Sequence, residues 1–288
     1  MNLGAIITAM VTPFDSAGEV DETATVRLLQ HLFSHGSDGV VVCGTTGEAT
    51  TLDDDEHRAM IELVVSETRA NHPGKSVIAG VGSNDTRHAV SLTDAVTALR
   101  PDALLAVNPY YNLPSRRGII AHFAEVNRAT DLPIILYNIP KRTGADMPND
   151  LIAELAQMEH IVAVKQANAD NIAMIDGVEL YAGNDDSLAA VLDIGGAGGV
   201  LTGSHLFGDE MRRMVQEPQN RQEIDASLRD VYRDLALAPA ACSNKAGLNL
   251  IGVEVGIPRL PYVELDEHEL SVIRALLERH GHLQAAEA

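Results

Sequence analysis

Eight short apolar runs, set roughly 25–35 residues apart, restrict this chain to very few folds. They are AIITAMV (5–11), DGVVVCG (38–44), SVIAGVG (76–82), ALLAVNP (103–109), PIILYNI (133–139), IVAVKQA (161–167), ELYAGN (179–184) and GGVLTGS (198–204). Most are continuously apolar rather than alternating, as parallel strands covered on both faces must be. Helical patterns lie between them. DETATVRLLQHLFSHG sets Leu28, Leu29, Leu32 and Phe33 on one face and stops at Gly36. TLDDDEHRAMIELVVSETRANHPG opens on acids suited to a helix N-terminus and closes at Pro73-Gly74. Eight such alternations predict an α/β chain folded as a (β/α)8 TIM barrel, ahead of a doubly wound open sheet.

The strand signal ends near residue 205. DEMRRMVQ, RQEIDASLRDVYRDLALAPAACSNKAGLNLI and LDEHELSVIRALLERHG read as amphipathic helices. The expected organisation is therefore a barrel over 1–205, closed by a helix from about 206–220, and a C-terminal helical subdomain over 221–288 with a polar tail, LQAAEA. No low-complexity linker divides the two.

Charge narrows the partners. Forty-one acids against 21 bases give a net charge of −20, which excludes the basic footprint that nucleic acid or an anionic membrane requires. An anionic substrate then needs local cations, and the chain has only four lysines. Cys43 and Cys242 are too few and too far apart for a disulfide framework and fit a reducing cytosol. The opening MNLGAIITAMVTPF has no basic stretch and only a short apolar run, so neither a signal peptide nor a membrane span is expected and a cytoplasmic location is.

In a barrel, the reacting groups sit at the C-terminal ends of the strands. Those ends here read GTTGE (44–48), NPYYN (108–112), YNIPKRTG (137–144), Lys165, GNDD (183–186) and TGS (202–204). Three of the six tyrosines, Tyr110, Tyr111 and Tyr137, fall in this layer. Lys165 closes an apolar run and has two readings. It either snorkels into solvent on its long stem, or stands desolvated in the barrel mouth, where a lowered pKa leaves an amine able to attack a carbonyl. GTTGE is an ordinary βα turn or an anion nest of backbone N–H groups and hydroxyls. Tyr137 is either packing or a proton carrier. DDDE (53–56) reads as a first helical turn rather than a metal site, His31 and His35 lack a third ligand, and GGAGG (195–199) precedes a strand as a helix stop. No metal is implied.

With Lys165, Tyr137, GTTGE and YNIPKRTG together, the chain resembles the dihydrodipicolinate synthase / N-acetylneuraminate lyase family of class I aldolases over about residues 5–262. The resemblance implies the following roles. Lys165 forms a Schiff base with pyruvate, Tyr137 shuttles protons, and Thr45 and Tyr111 relay them, Tyr111 reaching into a neighbouring subunit. Thr46 holds the pyruvate carboxylate, Val200 and Gly183 fall among the substrate contacts, and Arg142 receives the second substrate's carboxylate. TTGE and KRTG favour L-aspartate 4-semialdehyde as that substrate, with 4-hydroxy-tetrahydrodipicolinate as product, a step towards diaminopimelate and lysine. No cofactor is implied, because the imine is itself the electron sink. A homotetramer built as a dimer of dimers is implied as well.

Departures keep an alternative open. The usual K-E-A-T-G reads Lys165-Gln166-Ala167-Asn168-Ala169, so a 2-keto-3-deoxy sugar acid aldolase is the second reading; a barrel retained as a sensor without turnover is the third. Asn84, His57 and Tyr110 match a lysine-binding allosteric pocket, but Asp54 and His88 replace its usual histidine and glutamate, which argues against feedback inhibition by lysine.

Overall fold

The structure is a computed structural model that describes residues 3–284. Eight parallel strands close on themselves in sequence order: β1 (Ile6–Ala9), β2 (Gly39–Val42), β3 (Ser76–Gly80), β4 (Ala103–Val107), β5 (Ile134–Asn138), β6 (Ile161–Gln166), β7 (Glu179–Ala182) and β8 (Gly198–Leu201). Closure is made by β1 against β8, with Ile7 opposite Val200. Each ladder stops short of the apolar run that predicts it. Residues left over at the C-terminal ends, such as Cys43, Gly82, Ile139 and Gly183, line the cavities of the barrel mouth.

Side chains alternate between two cores, as the twofold period of a strand requires. Ile7, Val41, Ile78, Leu105, Ile135 and Val200 fill the interior. Ile6, Val40, Leu104, Leu136 and Val164 face outward and meet the helices. Those helices are α1 (Glu22–Ser34), α2 (Asp54–Asn71), α3 (Thr86–Thr97), α4 (Arg116–Arg128), a single turn α5 (Pro140–Thr143), α6 (Asn149–Leu155), α7 (Leu188–Asp193) and α8 (Ser204–Gln216). The expected start of α1 is capped by Asp21, and Asp53 closes a capping box with Glu56 at α2, which is the structural use of the acids in DDDE.

One crossover departs from the expected alternation. Among the described residues, β6 and β7 are joined by a 3-10 turn (Ala169–Asn171) and an irregular strand-like bridge, not by a helix. Only 12 residues (167–178) separate the two strands, near the lower limit for a parallel crossover, and the chain spans that distance without an α-helix.

The closing helix α8 begins two residues earlier than expected and ends four earlier. Among the described residues, the C-terminal part holds four helices: α9 (Arg221–Ser227), α10 (Arg229–Leu235), α11 (Ala240–Leu250) and α12 (Glu267–Arg279). Residues 285–288 of the polar tail lie outside the described residues.

Close approach of two backbones requires glycine at Gly80, the last residue of β3. A Cβ there would lie 2.1 Å from the Cys43 carbonyl oxygen, so only glycine lets the turn after β2 sit flush against β3. Gly80→Ala is expected to lower stability by about 2–3 kcal/mol, read by urea denaturation, with the slope of the transition unchanged.

Candidate active site

Strand register builds the centre of the site. Tyr137 on β5 and Lys165 on β6 are register partners, and both point inward because they share the face of Ile135 and Ala163. The Lys165 Nζ lies 4.3 Å from the centroid of the Tyr137 ring. Lys165 is only 4% exposed, so it is the desolvated residue and not the snorkelling one. Burial pulls its pKa down to about 8; the Asp185 carboxylate pushes back upward, and Arg142 adds to the lowering. Relative to a free lysine, the neutral fraction at pH 7 rises more than a hundredfold, to about a tenth. Burial also raises the Tyr137 hydroxyl to about 12, opposed by Arg142 and by a hydrogen bond with the Thr45 side chain.

The amine opens into a cavity of about 360 Å³ lined by Thr45, Thr46, Tyr137, Arg142, Gly183 and Asp185 among others. Thr45 and Thr46 follow β2, where Cys43 takes a left-handed backbone (φ 54) that turns the chain across the mouth. Lys141 and Arg142 are carried on α5, whose proline sits at the first turn; they are the local cations that an anionic substrate needs in so acidic a chain. Gly183 follows β7, and a Cβ there would meet Ala167 at 2.8 Å, so its place in the wall has a packing reason. A second cavity of about 430 Å³ shares Thr45, Tyr137 and Arg142 and runs on to His57 and Tyr110.

Two expected residues stand outside the cavity. Val200 is fully buried in the interior layer, and Thr202, two residues further on, reaches the wall instead. Tyr111 is 88% exposed and holds a left-handed backbone (φ 74), as does its exposed neighbour Leu113 (φ 50). Bulky residues in that region are strained, and such strain collects at functional positions.

The matched allosteric residues are placed as follows. His57 is buried and donates Nε2–H to the Gly80 carbonyl at 2.8 Å; burial lowers its pKa. Asn84 offers its carbonyl to the Asn112 amide. Asp54 and His88, the two replacements, pair with each other at 2.9 Å.

Asp185 is a cavity residue that its place in GNDD does not by itself single out. Its carboxylate accepts from Thr202 N at 2.8 Å, Thr202 Oγ1 at 2.9 Å and Gly203 N at 2.9 Å, and its pKa is nonetheless raised by burial. The acidic end of β7 beside the TGS end of β8 is the signal that points to it. Gln166, by contrast, faces away from Lys165. Its Oε1 accepts from Asn138 Nδ2 and Asn168 N, both at 3.0 Å, and Asn168 in turn donates to Asp146. These amides tie β5, β6 and the 145–147 loop together outside the cavity.

An amine kept partly neutral, a phenol beside it and donors across a cavity form a site for capturing a carbonyl compound with an acidic group. Fold and site thus define a barrel enzyme of the imine-forming kind. Residues 2–280 match the dihydrodipicolinate synthetase family. The 4-hydroxy-tetrahydrodipicolinate synthase of Oceanobacillus iheyensis is 37% identical over 98% of this chain and 99% of its own length. The 4-hydroxy-tetrahydrodipicolinate synthase 1 of Halalkalibacterium halodurans is 40% identical over 93% and 94%. Among solved structures, the Cyanidioschyzon merolae enzyme with lysine bound is 36% identical with a TM-score of 0.92, covering 98% of this chain and 99% of that one. The chloride-inhibited Acinetobacter baumannii dihydrodipicolinate synthase complexed with pyruvate is 30% identical with a TM-score of 0.92, covering 98% and 100%. The chain belongs to the dihydrodipicolinate synthetase family.

Acetylation of Lys165 by acetic anhydride, followed by mass spectrometry across pH, is expected to rise through a midpoint near 8. Asp185→Asn, which removes the charge that favours the ammonium, is expected to move that midpoint downward.

Proposed function

We propose that this chain is a 4-hydroxy-tetrahydrodipicolinate synthase, condensing pyruvate with L-aspartate 4-semialdehyde. The observation that carries the reading is the desolvated Lys165 set against Tyr137 at the mouth of a barrel of this family. Pyruvate enters with its carboxylate on the Thr45–Thr46 turn and its C2 facing Nζ. The neutral amine attacks C2, and Tyr137 moves the protons that let water leave the carbinolamine. With the protonated imine as electron sink, Tyr137 takes a proton from C3; the enamine carbon then adds to the aldehyde of the second substrate, whose oxygen takes that proton and whose carboxylate rests on Arg142. The amine of that substrate then attacks the imine carbon, closing the ring and freeing Lys165. Every electron pair returns to a bond or a released water, so no cofactor enters.

The proton relay runs from Tyr137 through Thr45 to the partner's Tyr111. An exposed tyrosine on a strained backbone beside exposed Leu113 supports that exchange between two copies. A tight dimer is the minimum it requires, and a homotetramer of two such dimers is the proposed assembly. Gly183 contributes a contact to the substrate from the cavity wall, with Val200 behind that wall in the interior layer, and the reaction takes place in the cytoplasm. Among the described residues, no helix is long and apolar enough to cross a membrane. The pairing of Asp54 with His88 beside His57, Asn84 and Tyr110 supports a site that lysine does not inhibit.

The sugar acid alternative rests on Gln166 and Asn168, and both are engaged in the amide network away from the cavity. Side-by-side turnover with pyruvate plus either L-aspartate 4-semialdehyde or a sugar-derived aldehyde decides between them. Turnover of the semialdehyde is expected; turnover of the sugar aldehyde alone would overturn the assignment. Tyr111→Phe is expected to lose roughly a hundredfold in turnover while keeping its fold and its imine, and an unaffected rate would remove Tyr111 from the relay.

A further inference from the structure

The turn that carries Thr45 and Thr46 is held from a distance. Glu48 closes it with a left-handed backbone (φ 54) and sends its carboxylate into the protein. Oε1 lies 2.7 Å from the Lys245 Nζ of α11, and the two side chains are 0% and 1% exposed. Oε2 accepts the backbone N–H of Arg259 at 2.8 Å. Lys245 also donates to the Ile257 carbonyl at 3.1 Å and lies 4.1 Å from the centroid of the Phe14 ring. Arg259 stacks on the same ring, donates to the Thr51 carbonyl at 2.9 Å and pairs with Glu56. Thr12 holds the middle of the turn by donating to the Gly47 carbonyl at 2.6 Å.

Two charges removed from water seldom add stability over apolar residues of the same size; what this pair adds is attachment, through Glu48 Oε2 to the Arg259 N–H and through Lys245 to the Ile257 carbonyl. These bonds fix the residue two places after Thr46. We propose that Glu48 and Lys245 are positioning residues for imine formation: the buried pair lets the C-terminal helices set where the Thr45–Thr46 turn holds the substrate carboxylate. The inference rests on the reading of that turn given above. A shift of the turn by a fraction of an ångström misplaces pyruvate C2 from Nζ, and such errors cost ten- to a hundredfold or so.

The test separates position from stability. Lys245→Met leaves a buried, unpaired carboxylate and is expected to lower the melting temperature. Glu48→Gln combined with Lys245→Met removes both charges and keeps an acceptor for the Arg259 N–H, so the melting temperature should return towards that of the native protein. In this double variant the proposal expects the KM for pyruvate to rise tenfold or more and borohydride trapping on Lys165 to slow at low pyruvate, with the KM for the aldehyde unchanged. A pyruvate KM that recovers together with the melting temperature would overturn it. If the double variant does not fold, Glu48→Asp keeps the charge and shortens the arm by one methylene; a raised pyruvate KM supports the proposal and an unchanged one overturns it. Failure of the native protein to form any adduct with pyruvate would sink the underlying reading of the site, which is a different outcome from a normal adduct in all variants.

Discussion

The proposed chemistry of this barrel depends on the contact between the Lys165 amine and the Tyr137 ring, made possible by strand register. Adjacent parallel strands place partners side by side, and the twofold period turns both inward at the one level where the interior opens to the mouth. Keeping the ammonium there costs about 3 kcal/mol relative to water. The sign of that cost is definite. Because the folded-state pKa lies below the usual lysine value, the penalty is complete below about pH 8 and fades as the pH rises from there towards the unfolded value. The fold thus gives up stability at neutral pH for an amine that is ready to react.

The same alternation explains which departures from the family pattern matter. Lys165 and Gln166 are neighbours in sequence but face opposite sides of β6. Gln166 meets Asn138, which for the same reason faces away from Tyr137 on β5. An amide in place of the usual acid therefore adjusts the packing of two strands against the 145–147 loop and leaves the cavity wall alone.

Much of this was legible in the sequence. The eight strands announce themselves because burial on both faces demands continuous apolar runs, and the mouth residues follow from where those runs end. Lys165 itself could be located but not weighed, since exposure depends on what the other strands bring beside it. Four features were not legible. The missing helix between β6 and β7 falls in a connection near the lower limit for a parallel crossover. Asp185 gains its meaning from the N–H groups of Thr202 and Gly203 on the next strand. Glu48 reads as the last letter of a turn motif, and its partner Arg259 stands 211 residues away. Helices α9–α11 read as an appendage, yet Tyr232, Leu235 and Ala240 close one side of the Lys165 cavity. The C-terminal part is a wall of the site as well as a neighbour of the barrel.

Carbon-13 NMR of the protein with pyruvate labelled at C2 tests the central claim most directly. The account predicts that the ketone resonance of bound pyruvate gives way to an imine resonance that is coupled to nitrogen when lysine is nitrogen-15 labelled, and that Lys165→Met abolishes it. Bound pyruvate that remains a ketone or hydrate in the native protein, or an imine that survives Lys165→Met, would contradict it.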